Sequence, residues 1–270
     1  MTQPLAGPIW LVGCGNMAGA MLRRWLAAGT VAARDVTVIN RSGTLPIAGI
    51  RVLTSVPEEE PAPAVVMLGV KPQQIDLIAA TAIAQIRPKL FISILAGAEN
   101  AALAARFQAD AIVRAMPNLP VAIGKGVVAL HSDSRDPSLR DAAAALMAPL
   151  GLVEWVADEA LFDAATALAG CGPGFVFRFI EALGAAGVAL GLSEDQAQRL
   201  AIATVEGAGL LAGSSDVSPE TLADRVASPG GSTREGLNVL DRDDTLRRLM
   251  VETLAASARR NAEMAAAARG

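Results

Sequence analysis

Residues 227 to 240, ASPGGSTREGLNVL, place a proline and two glycines immediately before a helical pattern. Glycines at a helix start leave backbone N–H groups uncovered, and the helix dipole adds positive potential there. Such a bend can hold a carboxylate or a phosphate, with the hydroxyls of Ser228 and Thr233 as further hydrogen-bonding groups. The alternative is an ordinary connector, in which Ser232 of the S-x-x-E pattern is the N-cap and the helix begins at Thr233. The paired glycines favour the anion site.

A second glycine-rich stretch, Gly13-Cys14-Gly15-Asn16-Met17-Ala18, follows an apolar run near the start of the chain. Its G-x-G-x-x-A spacing is the dinucleotide-binding pattern, in which the first glycine makes the turn. Gly15 then lets the backbone approach a pyrophosphate, and Ala18 lets the following helix pack closely on its strand. The sequence therefore predicts a dinucleotide site; the alternative is a glycine turn that holds no ligand.

The residues after the second apolar run, Asn40, Arg41 and Ser42, indicate which dinucleotide fits. An NAD site normally presents Asp or Glu here to bind the ribose 2′-hydroxyl. A guanidinium with two neutral hydrogen-bonding groups suits a 2′-phosphate, and no carboxylate is present to repel it. NADP is favoured over NAD; in the alternative, Arg41 is only a solvated loop cation.

Groups that could transfer a proton are scarce. The chain has no tyrosine, and its one histidine, His131, follows an apolar run, where a structural position is the expected one. The lysines, Lys71, Lys89 and Lys125, all lie in the first half. An alcohol dehydrogenase usually needs His, Lys or Tyr to accept the hydroxyl proton. The composition therefore favours reduction of a C=N bond, for which positioning against a nicotinamide supplies most of the catalysis.

The elements that must position these groups form two regions. In the first half, helical patterns at 17–29 and 73–86 alternate with buried apolar runs typical of parallel strands, at 9–13, 35–40, 64–70, 90–97, 111–116 and 126–130. This alternation predicts an α/β Rossmann-type domain with a parallel-rich sheet over residues 1–157. After residue 158 only helical spacing remains, which predicts an all-α domain over 158–270 for substrate binding and dimerisation.

Within the second region, residues 175–191 are apolar almost all round, with only Arg178 and Glu181 as charged residues. A helix without a polar face must be covered on several sides, so we expect a second subunit to cover it. Helix starts are predicted at Ser193, as part of a capping box with Gln196, and at Ser218, before a first-turn proline.

Composition excludes several classes of protein. Hydrophobic residues make up 52% and charged residues 19% of 270, which predicts a folded chain with a sizeable core. The net charge of −4 and the absence of a Lys/Arg run argue against nucleic acid. Apolar stretches are broken before membrane length, and the first ten residues lack a signal-peptide pattern, so neither membrane nor export is expected. Two separated cysteines predict no disulfide or metal site, and the cytoplasm is the expected location.

The chain resembles the pyrroline-5-carboxylate reductases, which make L-proline from Δ1-pyrroline-5-carboxylate with NADPH or NADH. The resemblance rests on several motifs together: GCGNMAGAML (13–22), VKPQQ (70–74), SILAGA (93–98), RAMPNLP (114–120), TALAGCGPGFVFRFIEALGAAGVALGL (166–192) and SPGGST (228–233).

The resemblance implies a role for each matching residue. Those implied to bind or line the cofactor are Gly13, Cys14, Gly15, Asn16, Met17, Asn40, Arg41, Ser42, Val70, Lys71, Pro72, Ala96, Gly97, Met116, Pro117 and Asn118. Those implied to bind substrate are Ser228, Gly230, Gly231, Ser232, Thr233 and Asn118, with Thr233 near the ring nitrogen as the catalytic residue. The resemblance further implies an intertwined dimer, often assembled into a decamer.

The chain departs from the family where the usual S-G-S-G-P-A-Y reads AGCGPGF, residues 169–175. Two serine hydroxyls and a phenol are lost there, which bears on substrate preference. Three rivals stay open: a reductase of another cyclic imine, a hydroxyacid dehydrogenase of the same two-domain plan, and a dinucleotide-sensing dimer. The dehydrogenase is disfavoured because no lysine follows Lys125, and the sensor because the SPGGST loop supplies a substrate site.

Overall fold

The computed structural model describes residues 7–57 and 60–269, and of residues 267–269 only the backbone. Residues 1–6, on which the expectation of no signal peptide partly rests, lie outside this range. The chain divides into two compact units, one of Met1–Cys171 with Ser257–Gly270 and one of Gly172–Ala256.

The described part of the first unit is built on an eight-stranded sheet with the order β3-β2-β1-β4-β5-β6-β7-β8. The strands are β1 Ile9–Val12, β2 Val36–Ile39, β3 Arg51–Leu53, β4 Val65–Leu68, β5 Leu90–Ser93, β6 Ala111–Pro117, β7 Gly126–His131 and β8 Gly151–Trp155. Every neighbouring pair is parallel except β6 and β7, where Arg114 lies opposite His131 and Pro117 opposite Val128. The prediction of a Rossmann-type, parallel-rich sheet is confirmed.

The described helices of this unit cover the sheet. They are α1 Asn16–Ala27, α2 Ile75–Ala79, α3 Asn100–Ala104, α4 Pro137–Met147 and α5 Phe162–Ala165, followed by a π-helical turn, Thr166–Gly170. The strands are buried on both faces: Leu11 and Met67 belong to the core beneath α1, while Trp10 and Leu68 belong to the core on the other face. Burial on both faces explains why these strands are continuous apolar runs.

The predicted first helix is confirmed, whereas the predicted helix over 73–86 is broken. Between α2 and the 3₁₀ turn Ala82–Gln85, the Thr81 hydroxyl donates to Ile78 O at 2.7 Å and accepts from Ile83 N at 3.3 Å. A side chain that bonds neighbouring backbone in this way competes with the helical ladder. The helical spacing of apolar residues continues through this break, so periodicity alone does not reveal that the helix ends there.

Two strands were missed by the sequence analysis. β3 is only three residues long and partly exposed, and β8 alternates half-buried with exposed residues. Both lie at the edges of the described sheet, where one strand neighbour is missing and burial is incomplete. A search for continuous apolar runs detects central strands and overlooks such edges.

The second unit is helical throughout its described elements, which confirms the all-α prediction. It contains α6 Gly172–Ala189, α7 Glu194–Ser214, α8 Pro219–Arg225, α9 Ser232–Asp241 and the first part of α10, Thr245–Arg269. α6 and α7 pack closely through small residues: a Cβ on Gly187 would lie 3.2 Å from Ala197 Cβ, and Ala201, about one turn further along α7, is buried as well. The last residues of α10 return to the first unit, where Ala265 packs against Gly97.

Two helix starts in this unit agree with the sequence. Ser193 is the N-cap of α7 and accepts from Gln196 N at 3.4 Å. Ser218 is the N-cap of α8, accepts from Thr221 N at 3.2 Å and precedes a first-turn proline.

The apolar helix α6 is largely exposed within its own chain. Of its large side chains, Phe177 is 55% and Phe179 49% exposed, and Leu190 just beyond it is 89% exposed. By length and composition alone, the helical run Glu159–Ala189 would suffice to cross a membrane. The expectation that every apolar stretch is broken before that length is therefore wrong: the glycines, the proline and the four charged residues of this run, Glu159, Asp163, Arg178 and Glu181, do not lower its hydropathy enough to exclude it.

Candidate functional site

The predicted dinucleotide loop connects β1 to α1 beside the point where the strand order reverses. β1 lies between β2 and β4, so the carboxyl ends of β1 and β4 flank the crevice in which doubly wound sheets bind ligands. Gly13 has φ +83° and its N–H donates to Ile39 O at 2.8 Å, which turns the chain tightly at the strand end. A side chain at Gly13 would meet Val70 Cγ1 at 2.6 Å, so only glycine fits.

Gly15 provides an uncovered approach to this turn. It is the N-cap of α1, no side chain caps that helix, and a Cβ on Gly15 would meet nothing within 4 Å. Further along, Ala18 packs against Gly69 of the loop after β4, where an added Cβ would lie 2.9 Å from Ala18 Cβ. The first N–H groups of α1 therefore have no side-chain acceptor, and the space beside Gly15 is open to the approach of a pyrophosphate.

A cleft of about 720 Å³ joins this loop to the ends of β2 and β4. It brings together seven of the residues predicted to bind cofactor: Gly13, Cys14, Gly15, Asn40, Arg41, Val70 and Lys71. It also includes residues that the sequence analysis missed: Thr54, Ser55 and Val56 after β3, and Leu77, Ile78 and Thr81 in and after α2. The three residues after β3 were missed because β3 was not recognised as a strand, so its carboxyl end was not searched. Leu77, Ile78 and Thr81 lie within the predicted helical stretch 73–86, and only the fold brings them to the cleft.

Cys14 is half-buried in this cleft. Burial raises the pKa of the Cys14 thiol, and the positive charge of Arg23 only partly opposes that shift. The thiol is therefore neutral near pH 7 and places no negative charge beside a phosphate.

The loop after β2 is shaped by the side chain of Asn40. Asn40 Oδ1 accepts from Gly43 N at 2.8 Å and from Ser42 Oγ at 3.1 Å, while Asn40 Nδ2 donates to Thr44 O at 3.0 Å. Arg41 is exposed and forms no ion pair with any residue that the structure describes. Its guanidinium is thus available to an anion at the edge of the cleft, as the NADP prediction requires.

The other residues predicted to line the cofactor also follow strand ends. Lys71 and Pro72 come after β4, where Lys71 N donates to Gln74 Oε1 at 3.2 Å. Ala96 and Gly97 follow β5, and Gly97 has φ +75° with the backbone of Ala265 about 3.1 Å from a would-be Cβ. Because β1, β4 and β5 are parallel, all these groups meet at one edge of the sheet.

Met116 and Pro117 end β6, and Asn118 follows at the same sheet edge. Asn118 is 6% exposed, its Nδ2 donates to Ala169 O at 2.9 Å, and its Oδ1 accepts from Val127 N at 2.8 Å. Both ends of its carboxamide are therefore bonded within the protein.

The predicted anion loop lies in the second unit. Gly231 N donates to Ser228 O at 2.9 Å across Pro229 and Gly230, and Gly230 has φ +73°. Proline followed by a left-handed glycine is the pattern of a type II turn.

The helix after this turn starts one residue earlier than predicted. Gly231 is the N-cap of α9, with φ −79° and ψ 158°, and makes no side-chain cap. The prediction that Ser232 caps a helix beginning at Thr233 is wrong, because the extended backbone at Gly231 already admits Ser232 into the first turn. A glycine N-cap leaves the first N–H groups of α9 without a side-chain acceptor.

The hydroxyls of Ser228, Ser232 and Thr233 make no hydrogen bond to any described residue, and all three residues are exposed. The helix itself is fastened by Arg234, whose Nη2 lies 2.6 Å from Asp224 Oδ1 of α8. The turn thus presents backbone N–H groups and three uncommitted hydroxyls together, which is a suitable arrangement for binding a carboxylate.

His131 has the structural position expected for it. It ends β7, is 4% exposed, and its Nδ1 lies 2.8 Å from Val156 O. Its neighbour across the sheet, Arg114, is buried and paired with Glu159 at 2.7 Å. In the second unit, Glu181 is paired with Arg178 at 3.0 Å.

Comparison with protein families matches both parts of the chain. Residues 159–264 match the family described as pyrroline-5-carboxylate reductase dimerisation. Residues 8–97 match the family described as NADP oxidoreductase, coenzyme F420-dependent.

Individual proteins resemble the chain over nearly its whole length. A pyrroline-5-carboxylate reductase of a Synechocystis species is 35% identical over 260 residues, covering 94% of this chain and 97% of that protein. The structure of a pyrroline-5-carboxylate reductase from Coxiella burnetii superimposes with a TM-score of 0.83 at 30% identity, covering 96% of this chain and 98% of the other. The Plasmodium falciparum pyrroline carboxylate reductase with NADP bound shares the fold, with a TM-score of 0.82 at 24% identity, covering 97% and 99%. By its sequence and its fold, this chain belongs to the pyrroline-5-carboxylate reductase family.

Proposed function

We propose that this protein reduces Δ1-pyrroline-5-carboxylate to L-proline with NADPH, the last step of proline biosynthesis. The observation that carries the proposal is a pair of uncapped glycine turns in one chain, at Gly13–Gly15 and at Gly230–Gly231. The first has the dinucleotide spacing, and the second can bind the carboxylate of a small acid. Membership of the family makes this acid a cyclic imino acid.

The residues of the cleft fit NADPH, which when bound supplies the hydride. The N–H groups at the start of α1 are uncovered and receive the pyrophosphate, with Asn16 and Met17 in the first turn. Arg41 binds the 2′-phosphate, aided by Ser42 in the loop that Asn40 holds. NADH also enters the cleft, but more weakly, because it offers Arg41 no phosphate.

The substrate carboxylate binds at the turn 228–231 and at the first N–H groups of α9. Thr233, in the first turn of α9, has a free hydroxyl that can donate to or accept from the ring nitrogen. A protonated imine is already electrophilic at carbon, so orientation supplies most of the catalysis. This requirement agrees with a second unit whose described helices contain no His, Lys or Tyr.

We further propose that the region 158–270 joins two copies of the protein into a homodimer, which can assemble further into a decamer. α6 is too apolar and too exposed in one chain to be left in water. The region that includes α6 matches a dimerisation family. This match favours burial of α6 against a second copy of the chain over burial in a membrane. The division at residue 157 and a cytoplasmic location, without nucleic-acid or membrane partners, belong to the same proposal.

The test is turnover by purified protein. NADPH oxidation is measured at 340 nm with pyrroline-5-carboxylate, with its six-membered analogue and with a 2-oxo acid as separate substrates. The five-membered imine is expected to give the highest kcat/KM, and the 2-oxo acid no turnover. No reaction with the five-membered imine and either nucleotide would refute the proposal. A preference for the six-membered ring would support the rival imine reductase, and turnover of the 2-oxo acid the hydroxyacid dehydrogenase.

A further inference from the structure

The carboxamide of Asn118 fastens three segments of the first unit to one another. From the end of β6, it donates to Ala169 O at 2.9 Å and accepts from Val127 N of β7 at 2.8 Å. The backbone N–H of Asn118 also donates to Val127 O at 3.2 Å. With the residue only 6% exposed, water does not compete effectively for these bonds.

The segment held by Ala169 O is the π-helical turn Thr166–Gly170, in which Cys171 N donates to Thr166 O at 2.9 Å. π-Helical turns are rare, and they occur frequently at functional sites. The turn also lies against β6: a Cβ on Gly170 would lie 3.4 Å from Met116 Cγ, an ordinary van der Waals contact. The turn is therefore held to the end of β6 by one buried hydrogen bond, with Gly170 lying close to the Met116 side chain.

A second set of contacts, made by Arg114, holds the segment just before the turn. Arg114 of β6 is 4% exposed, and its Nη1 donates to Glu159 Oε1 at 2.7 Å, an oxygen that also accepts from Asn100 N at 2.8 Å. The guanidinium carbon lies 4.2 Å from the centroid of the Phe162 ring. Arg114 thus fixes the start of the segment, and Asn118 fixes its end.

The π-helical turn lies at the edge of the sheet where the nicotinamide is expected to bind. In a doubly wound sheet each half binds one mononucleotide, and here the half β3-β2-β1 carries Arg41 and the phosphate-binding loop. The nicotinamide half must then lie over β4-β5-β6, at whose carboxyl edge Asn118 and the π-helical turn are found.

We propose that Asn118 is a positioning residue: by locking the turn Thr166–Gly170 onto the end of β6, it fixes the wall that orients the nicotinamide for hydride transfer. The inference rests on the proposed function. It assigns Asn118 an indirect role, in place of a contact with substrate. Because a displacement of about 1 Å can slow a reaction by about a hundredfold, one hydrogen bond can matter here.

The test uses Asn118→Asp, which keeps the acceptor for Val127 N and removes the donor to Ala169 O. Its kcat with saturating imine and NADPH is expected to fall about tenfold or more, with KM for the imine and Kd for NADPH within about threefold of the parent values. Hydrogen exchange of backbone amides in 162–171 is expected to quicken in the protein without ligands, since a fastening is lost.

Ser132→Ala is the matched control. Ser132 is 7% exposed, and its Oγ donates to Ile112 O at 2.6 Å, so it joins the same two strands at the opposite end of β6. This variant should lower Tm by a similar amount while kcat and the exchange of 162–171 stay near the parent values. Equal loss of kcat in both variants would overturn the inference, as would a raised KM for the imine with unchanged kcat in Asn118→Asp.

Gly170→Val tests the same contact without touching Asn118. A Cβ at this position would already contact Met116 Cγ, so the two further methyl groups of valine should displace the turn, and the loss of kcat with retained NADPH affinity should recur. An unchanged kcat in this variant would count against the inference even if Asn118→Asp does not fold. Absence of turnover in the parent protein would refute the proposed function alone, while unchanged exchange of 162–171 in Asn118→Asp would refute the fastening itself.

Discussion

At the scale of single residues, Arg41 and Thr233, proposed to bind NADPH and the imine, have side chains without a polar partner within the described part of the protein. Arg41 has no ion-pair partner among the described residues, and the Thr233 hydroxyl has no hydrogen-bond partner among them. Asn40 and Asn118, in contrast, have their carboxamides engaged with neighbouring backbone. Free groups of this kind can act on ligands directly, whereas engaged groups act through the segments they hold.

Replacing Arg41 by Ala should weaken NADPH binding about ten- to hundredfold, because a charge-assisted hydrogen bond contributes about 1.5–3 kcal/mol. NADH binding should change less than about twofold, since NADH has no 2′-phosphate. Kd values for both nucleotides are measured by titrating nicotinamide fluorescence. Arg34→Ala is the matched control, because that side chain is 86% exposed and its one ion-pair partner among the described residues is Asp35. Equal losses for the two nucleotides would contradict the assigned role.

Replacing Thr233 by Ala should lower kcat/KM for the imine about tenfold, the effect of losing one hydrogen bond at the reacting nitrogen. Thr233→Ser keeps the hydroxyl and should retain most of the activity. Steady-state kinetics and NADPH titration are compared for the two variants. A collapse of NADPH affinity in Thr233→Ala would show that the hydroxyl faces the cofactor and would remove it from the substrate site.

At the scale of elements, the site depends on where helices begin and on how little covers their first turns. α1 and α9 both start behind a glycine N-cap without a side-chain acceptor, while α7 and α8 are capped by Ser193 and Ser218. The contrast is physical: a serine cap satisfies a first-turn N–H from within the protein, and a glycine cap leaves it for a ligand.

This contrast predicts different costs for two serine substitutions. Ser218→Ala should lower the free energy of unfolding by about 1 kcal/mol, because an N-cap hydrogen bond is lost. Ser232→Ala should change it by less than about 0.5 kcal/mol, since Ser232 lies inside the helix and caps nothing. Chemical denaturation of both variants measures the difference. If Ser232→Ala lowers the free energy of unfolding by as much as Ser218→Ala, Ser232 is the N-cap of α9, as the S-x-x-E pattern predicts.

Binding of the imine at the turn before α9 should also depend on the backbone conformation of that turn. Gly230→Ala forces alanine to φ +73°, at a cost of about 1–2 kcal/mol, and should raise KM for the imine by distorting the N–H groups. Gly191→Ala is the control, because Gly191 also has positive φ, +102°, and open space around it in the same unit. Both variants should lose stability, but only Gly230→Ala should show the raised KM. An unchanged KM in Gly230→Ala would separate this turn from the substrate.

At the scale of the whole molecule, one chain leaves much apolar surface in water. Large hydrophobic side chains of α6, α7 and α10 are exposed, among them Phe179 at 49%, Leu211 at 57% and Val251 at 63%. Their spread over several helices fits burial between intertwined copies better than contact with one flat surface.

Phe179→Asp is therefore expected to shift the protein from dimer towards monomer and to lower its Tm. Sedimentation velocity measures the first effect and thermal unfolding the second. Leu152→Asp is the control, because Leu152 is 61% exposed but lies on β8 of the first unit. A parent protein that sediments as a monomer would exclude the dimer, and dissociation of both variants alike would mean that the contact is not specific to α6.

The sequence by itself determined the fold class, the central strands, the first helix and the family. It could do so because the strands buried on both faces are continuous apolar runs. In addition, the small residues Gly13 and Ala18 of the dinucleotide loop lie at close contacts where larger side chains would not fit. It also located the residues of the cofactor cleft that follow recognised strands, such as Asn40 and Lys71.

Only the tertiary structure decided the remainder. The edge strands β3 and β8, the cleft residues that follow β3, and the break after α2 depend on neighbours distant in the chain or on local side-chain bonds. The bond from Asn118 to Ala169 joins residues 51 positions apart, and no spacing rule of the sequence encodes it. Whether Gly231 or Ser232 caps α9 is likewise a matter of backbone angles, which the S-x-x-E pattern does not fix.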